Sequence, residues 1–231
     1  MAILKPADHR DQNQVNTMKI ESYFVISLML SISQSVLADT YSVDVWADNW
    51  FQFNVDGKLV AEDSVPITTE RSFNAESFTF EAQPPFTIGL VLKDFKENDT
   101  GLEYIGTRRQ QMGDGGVIAQ IINSDGEVLA VTDESWRCLV VHEAPLDKRC
   151  EQEENPVAGS GYCGFTELAF PVGWGKAGFD DGGWMNAQVY SESEVSPKQG
   201  YDRVNWIEEA ELIWGPDLET DNTVLCRLDV N

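Results

Sequence analysis

The sequence is poor in positive charge and in histidine. Its 231 residues include 16 lysines and arginines against 39 aspartates and glutamates, with two histidines, so the formal net charge is −23 at pH 7. A field of this sign repels phosphate backbones and anionic lipid headgroups. The composition therefore argues against nucleic acid and membrane surfaces as partners, and it leaves cations and neutral polar ligands.

Catalytic patterns are missing as well. No serine lies in a nucleophile elbow, and the glycine-rich GDGG at 113–116 opens a predicted strand, whereas a phosphate cradle opens a helix. His9 precedes the predicted domain, and His142 lies near a strand end, where a lone histidine usually has a structural role. Acidic residues are so abundant that a nearby pair does not indicate a glycosidase. We therefore expect no enzymatic activity.

The apolar run near the N-terminus is too short to span a bilayer and has the length found in signal peptides. A lysine precedes its apolar part, Tyr23–Ile32, and small residues ending at Ala38 match a cleavage site. We predict an upstream segment and signal peptide over 1–38 and one exported domain over 39–231. The location implied is secreted, either extracellular or periplasmic.

Cysteine is scarce, with four residues and no CxxC spacing among Cys138, Cys150, Cys163 and Cys226. An even number in an exported chain favours two disulfides over a metal site or a catalytic thiol. Three pairings are possible. Loop geometry favours Cys150 with Cys163, which closes a local loop, and Cys138 with Cys226, which joins two predicted strands.

The sequence is rich in the alternation that is typical of β-strands. The stretch 47–63, ADNWFQFNVDGKLVAED, places Asp-Gly between two alternating runs and predicts a hairpin with Phe51 and Phe53 on one face, Trp50 and Gln52 on the other. NSDGEVLAV repeats the signal. Further strands are predicted within 72–82, 86–95, 115–133, 136–143, 165–170 and 222–230, and one or two helical turns within 205–214. Many short strands predict an all-β domain, a two-sheet sandwich or jelly roll.

Four ordered stretches carry a family resemblance. They are ADNWFQFNVDGKLV, GDGGVIAQIINSDGEVLAVTDESWRC, FDDGGWMNAQVY and AELIWGPDLETDNTVLCRLDV, and they span most of residues 41–230. The set resembles galactose-binding-domain-like jelly rolls, in particular the accessory β-sandwich domains of rhamnosidase-like glycoside hydrolases. The first hairpin is also similar to the PA14 module, although Trp50 replaces the central glycine of that module.

The resemblance implies architecture more than chemistry. Large aromatic side chains are expected to pack between the two sheets, namely Trp136, Phe179, Trp184 and Trp214. Asp180 and Asp181 are expected to cap the turn before Trp184 by accepting backbone N–H bonds. No stretch resembles the catalytic barrel of those hydrolases, so the expected role is a non-catalytic one.

Binding residues are sought in loops, because jelly rolls bind sugars on a sheet face or at one end, with an aromatic ring and polar side chains. In EYIGTRRQQMGDGG, Tyr104 offers a ring, Arg108 and Arg109 offer guanidinium forks, and Gln110 offers an amide. Trp174, flanked by glycines, offers a second ring. The alternatives are an arginine pair neutralised by nearby acids and a tryptophan buried as a loop anchor.

A calcium site is a further candidate. KDFKENDTG offers the carboxylates of Asp94, Glu97 and Asp99 at a turn, without the spacing of an EF-hand. The alternative is an exposed acidic loop that holds no metal. No other cofactor is indicated.

Two functions of different classes follow. One is a secreted, lectin-like carbohydrate-binding module whose partner is a glycan or polysaccharide. The other is a structural or protein-interaction domain of the cell envelope or extracellular matrix, with calcium as a stabiliser and a protein as partner. Burial or ion pairing of Tyr104, Arg108 and Trp174 would favour the second.

Overall fold

The structure, a computed structural model, describes residues 38–231. Alternating apolar and polar side chains form β-strands along this part of the chain. The predicted signal peptide lies outside these residues except for Ala38. Residues 38–231 belong to one compact unit. Every helix within 38–231 is too short or too polar to cross a membrane.

The described part of the chain holds strands β1 to β15 and little helix. In chain order the strands are β1 (Asp39–Asp48), β2 (Trp50–Val55), β3 (Lys58–Glu62), β4 (Asn74–Ala82), β5 (Phe86–Lys93), β6 (Leu102–Glu103), β7 (Gln111–Met112), β8 (Gly116–Asn123), β9 (Val128–Val131), β10 (Arg137–Glu143), β11 (Thr166–Glu167), β12 (Met185–Asn186), β13 (Gln188–Tyr190), β14 (Leu212–Trp214) and β15 (Asp221–Val230). The helical pieces are α1 (Glu192–Val195) and two 3-10 turns, Lys148–Gln152 and Tyr201–Arg203.

The strands form two antiparallel sheets and a small separate hairpin. Sheet A has the order β13, β14, β8, β1, β4, with β9 paired to β8. Sheet B has the order β11, β10, β15, β5, β2, β3, with β12 paired to β10. β6 pairs only with β7. The predicted all-β, two-sheet sandwich is therefore confirmed.

The core lies between the two sheets and follows the alternation of the strands. Phe51 and Phe53 of β2 are fully buried in it, whereas Trp50 joins a cluster on the opposite face of sheet B. Trp136 and Trp214 are fully buried in the core, as expected from the resemblance. Both Asp-Gly hairpins form where predicted, as β2–β3 and β8–β9.

The chain passes from sheet A to sheet B at Asp48 and Asn49, between β1 and β2. The Asn49 side chain donates to the Glu70 carbonyl oxygen at 3.0 Å and accepts from the Phe95 N–H at 2.5 Å. The Asn49 N–H donates to the Lys93 carbonyl at 2.9 Å. Asn49 therefore fixes the crossing by bonding segments before β4 and after β5.

The two disulfides have the pairing preferred from the sequence. Cys138–Cys226 joins directly opposed residues of β10 and β15, and Cys150–Cys163 closes a local loop between cysteines 13 positions apart. Because disulfides form and persist under oxidising conditions, the crosslinks indicate an extracellular or otherwise oxidising compartment.

The outer face of sheet B is covered by residues 171–184, here called the cover segment. Trp184 and Phe179 were expected between the sheets, and that expectation is wrong: both lie in this cover, on Val91 and Leu225. The physical reason is that the outer face of sheet B is itself apolar at these positions and needs burial. Trp174 stacks on Trp184 with ring centroids 6.3 Å apart.

The cover segment is also held by a buried arginine. Arg227 of β15 is 1% exposed and pairs with Asp181 and with Asp229, the latter at 2.7 Å. Asp181 therefore uses its side chain for Arg227, and its backbone carbonyl accepts from the Trp184 N–H at 2.8 Å. Asp180 caps as expected, because its Oδ1 accepts from the backbone N–H two residues on at 3.1 Å.

The outer face of sheet A carries a second apolar cluster, built on Trp46 and Ile118. The region 205–214 contributes to it, and the predicted helical turns there are wrong: a turn leads into β14, which bonds to β13.

The predicted strand 165–170 shortens to β11. The Leu168 N–H still donates to the Val141 carbonyl of β10 at 2.8 Å, and regular pairing ends there.

Gly89 on β5 lets the cover segment approach the sheet, and its substitution tests this packing. A Cβ at Gly89 would lie 2.8 Å from a ring carbon of Trp174. We expect Gly89→Ala to displace Trp174 and to lower the free energy of unfolding by about 1–3 kcal/mol. Urea unfolding followed by tryptophan fluorescence measures both effects. Gly183→Ala, where a Cβ meets nothing within 4 Å, is the matched control; equal stability of the two variants would contradict this packing.

Candidate ligand-binding sites

Tyr104 lies in the loop between β6 and β7, and its polar and aromatic surfaces are largely used within the molecule. The guanidinium carbon of Arg109 lies 4.0 Å from the ring centroid. The hydroxyl donates to the Glu70 carboxylate and accepts from Arg109 Nη2 at 2.6 Å. One ring face is therefore covered by Arg109 and is not open for a sugar to stack on.

The other predicted sugar contacts of this loop differ from one another. Gln110 donates through Nε2 to the carbonyl oxygens of Glu151 and Glu153, both at 2.8 Å, so its amide ties the loop to the first 3-10 turn. Arg108 is exposed and has no ion pair within the described residues. Trp174 is half-buried in the cover of sheet B, which matches the loop-anchor alternative. The structure therefore does not bring Trp174 and the Tyr104 loop together in one described pocket.

The predicted calcium ligands do not converge. Asp94 is buried, Glu97 accepts from the Ile105 N–H at 3.0 Å, and Asp99 pairs with Lys96. Across residues 38–231 no three His, Cys, Asp or Glu side chains are grouped so that they could hold a metal ion. The predicted calcium ligands are thus not brought together among the described residues, because Asp94 is buried while Glu97 and Asp99 bond to other partners.

A different carboxyl cluster forms where the chain crosses between the sheets. Asp48, Asp94 and Glu103 are each at most 4% exposed, and Asp114 adds a fourth, more exposed carboxylate. Lys198 Nζ lies 3.3 Å from Asp48 Oδ2 and 3.3 Å from Asp114 Oδ1. One ammonium group is therefore shared by Asp48 and Asp114 within a cluster of four acids, and it balances one negative charge.

Burial and crowding of like charges change the acidity of this cluster. Burial raises the pKa of Asp48 from 3.8 to about 7, against the opposing effect of Lys198. Burial also raises the pKa of Glu103 from 4.5 to about 7, with Asp114 adding to the rise. The pKa of Asp94 lies well above its usual range, because it is buried beside Asp48 and Glu103. Near neutral pH the cluster therefore carries less than its full negative charge.

A cavity of about 410 Å³ opens onto this cluster. We call it the acidic pocket. Its walls combine carboxylates, basic groups, amides and two aromatic rings: Glu70, Arg71, Phe73, Glu103, Tyr104, Arg109, Gln111, Asp114, Lys198 and Gln199. Glu103 Oε2 accepts from Gln111 Nε2 at 3.0 Å. The pocket can therefore bind polar or cationic groups.

A second cavity, of about 400 Å³, lies beside β5, β10 and the segment after β11, and we call it the aromatic groove. Phe95, Phe170, Leu168 and Ile67 supply apolar walls, and Phe170 is 45% exposed. Lys93, Asn98, Glu167 and Thr223 are among its polar lining residues. Apolar walls with a few polar groups are typical of small-ligand sites.

His142 is one of the buried polar residues that line the aromatic groove, together with Asp94 and Thr223. It is 4% exposed, and neither ring nitrogen has a hydrogen-bond partner. Nε2 lies 3.4 Å from Asp99 Oδ1, a contact that lacks hydrogen-bond geometry, and the ring stacks on Phe165 at 5.8 Å. Burial, reinforced by Lys96, lowers the pKa of His142. The neutral ring offers one donor and one acceptor.

Both cavities contain residues that the sequence did not single out for binding. The sequence pattern puts Phe170 in a predicted strand and gives His142 a structural role. Lys198 follows α1, far along the chain from Asp48, so only the fold brings the two together. The sequence contains one signal for the groove. Apolar residues alternate with others after β11, at Leu168, Phe170 and Val172, and all three are exposed in the structure.

The raised pKa of Asp48 predicts a pH-dependent stability. Between about pH 4 and pH 7 the folded state keeps a proton that the unfolded state has released, so stability falls as pH rises through 7. We expect the wild-type free energy of unfolding to decline by up to about 3 kcal/mol more than that of Asp48→Asn between pH 5 and 8, with most of the decline below pH 7. Urea unfolding across this range measures the difference. Asp125→Asn, at the β8–β9 turn, should keep the wild-type slope; parallel curves for wild type and Asp48→Asn would refute the assignment.

No protein-family model, curated protein or solved structure matches this chain. The resemblance to galactose-binding-like jelly rolls therefore stays a prediction, and function is inferred from the residues of the chain itself.

Proposed function

We propose that this chain is a secreted, non-catalytic carbohydrate-binding protein that holds a neutral sugar in the aromatic groove. The observation that carries the proposal is the half-exposed ring of Phe170 beside the unpartnered nitrogens of His142. A pyranose has an apolar face and a rim of hydroxyls, so it matches a ring and a neutral donor–acceptor pair. The resemblance to sugar-binding jelly rolls supports the same ligand class.

The surroundings of His142 favour a neutral sugar over a charged one. The lowered pKa keeps the imidazole uncharged at neutral pH, and the groove also contains Lys93, Lys96 and Glu167 as charges of both signs. One hydroxyl of a sugar can donate to the bare ring nitrogen and a second hydroxyl can accept from the ring N–H, without introducing a buried charge. Binding would thus satisfy two buried polar atoms at little electrostatic cost.

Secretion is part of the proposal. The predicted signal peptide over 1–38 and the two disulfides both favour an exported protein. Glycans and polysaccharides are abundant outside the cytoplasm, where such a protein would meet them.

The test is an array of neutral oligosaccharides, followed by calorimetry with the strongest binder. We expect Phe170→Ala and His142→Phe each to weaken binding about tenfold or more, because one removes the stacking ring and the other removes both nitrogens while keeping an aromatic ring against Phe165. Val172→Ala, in the same segment but with an apolar side chain that does not line the groove, is the matched control. A folded protein that binds no glycan, or equal binding by all three variants, would overturn the proposal.

A second function is favoured by one observation. Leu168, Phe170 and Val172 alternate along the segment after β11 and are 52%, 45% and 99% exposed. Exposed apolar rows mark protein-interaction sites, so the alternative is a structural or interaction domain of the envelope or matrix. The two functions differ at Val172: its truncation should weaken a protein complex and leave sugar binding unchanged.

A further inference from the structure

One tripeptide of the sequence has the pattern of an N-glycosylation acceptor. In exported proteins the acceptor is an asparagine followed by any residue except proline and then by serine or threonine. Asn98-Asp99-Thr100 fits this pattern, and no other asparagine among the 231 residues does. Because the pattern is short, its structural setting decides whether the site can be used.

Asn98 lies on the turn between β5 and β6, and its side chain is exposed. Oδ1 accepts from the Thr100 N–H at 2.9 Å, whereas Nδ2 donates no hydrogen bond among the described residues. A sugar attached to Nδ2 replaces one hydrogen of the amide and leaves the Oδ1 bond in place. The folded turn can therefore carry a glycan without losing a contact.

Thr100 shows when the acceptor is available. Its side chain is fully buried, and Oγ1 accepts from the Leu102 N–H at 3.3 Å. Gly101 beside it packs on Ala144 so closely that a Cβ there would lie 2.0 Å from the carbonyl oxygen. The acceptor pattern requires a hydroxyl at this position, so the transferring enzyme must reach Thr100. It can do so only before the turn folds, as is the case for a chain during export.

We propose that Asn98 accepts an N-linked glycan while the chain is exported. This rests on the secretion that forms part of the proposed function, because the reaction belongs to the export pathway. The donor class is an oligosaccharide linked to a polyprenyl pyrophosphate. Nδ2 attacks the anomeric carbon, a C–N bond forms, the bond from that carbon to the pyrophosphate oxygen breaks, and the amide loses one proton. Folding then buries Thr100 and leaves the glycan on the surface.

The glycan would be attached beside the aromatic groove, because Asn98 is one of the residues that line it. A sugar on a short tether has an effective concentration in about the millimolar range at a neighbouring site. The chain's own glycan would therefore compete with free oligosaccharides for the groove. Removal of the glycan should strengthen the binding of a neutral oligosaccharide.

The experiment is cell-free translation of the full chain in the presence of endoplasmic-reticulum microsomes. Protection from added protease measures import, and a loss of mass on treatment with peptide N-glycosidase measures the glycan. We expect the imported chain to carry one glycan. An imported chain without a glycan would overturn the Asn98 proposal alone, whereas failure of import would overturn secretion and the modification together.

Variants locate the acceptor. Asn98→Asp removes Nδ2 and keeps the oxygen that accepts from the Thr100 N–H, so it should be imported and remain unmodified. Asn155→Asp is the matched control, because Asn155 is exposed and is followed by proline, and it should carry the glycan as wild type does. Both readouts precede folding, so they do not depend on the stability of the variants. A glycan on imported Asn98→Asp would refute the assignment.

Calorimetry with the strongest oligosaccharide of the array tests the competition. We expect the glycosylated chain to bind at least about threefold more tightly after enzymatic removal of the glycan. Equal affinity before and after removal would overturn the competition at the groove. A glycosylated chain that binds no oligosaccharide in either form contradicts the sugar-binding proposal, and the acceptor site stands on its mass.

Discussion

The hydrogen bonds at the crossing from β1 to β2 are the constraint on which the rest of the structure depends. A chain that leaves one sheet for the other inside a sandwich must satisfy its backbone and side-chain polar groups without water. Asn49 does so by bonding Glu70 and Phe95, and Asp48 does so through Asn49 and Lys198. These partners come from distant parts of the chain, so the acidic pocket is built from the same contacts that fix the sandwich.

The outer faces of the sheets explain where ligands can bind. Sheet B is covered by Trp174, Phe179 and Trp184, and sheet A is covered around Trp46. A flat sheet face of the kind that many jelly rolls offer to sugars is therefore occupied by the protein itself. The openings that remain lie among loops, at the end of the sandwich near the crossing and beside the segment that follows β11.

The sequence predicted the fold well because strand alternation and Asp-Gly turns are local signals. It placed Phe51, Phe53 and both hairpins correctly, and loop geometry favoured the observed disulfides. It could not show which aromatic residues cover an outer face, because Trp184 and Trp136 look alike in a one-dimensional pattern. The cluster of Asp48, Glu103 and Lys198 was equally hidden, since contacts between distant segments exist only after the sheets have formed.

The position of β15 has a consequence for how the protein is made. This strand spans Asp221–Val230, lies between β5 and β10, and pairs with both. Until it leaves the ribosome, sheet B consists of two halves with open edges, and Cys138 has no partner. Sheet B therefore becomes continuous only after residues 221–230 have been synthesised, and the Cys138–Cys226 disulfide, which joins residues 88 positions apart, forms only after that.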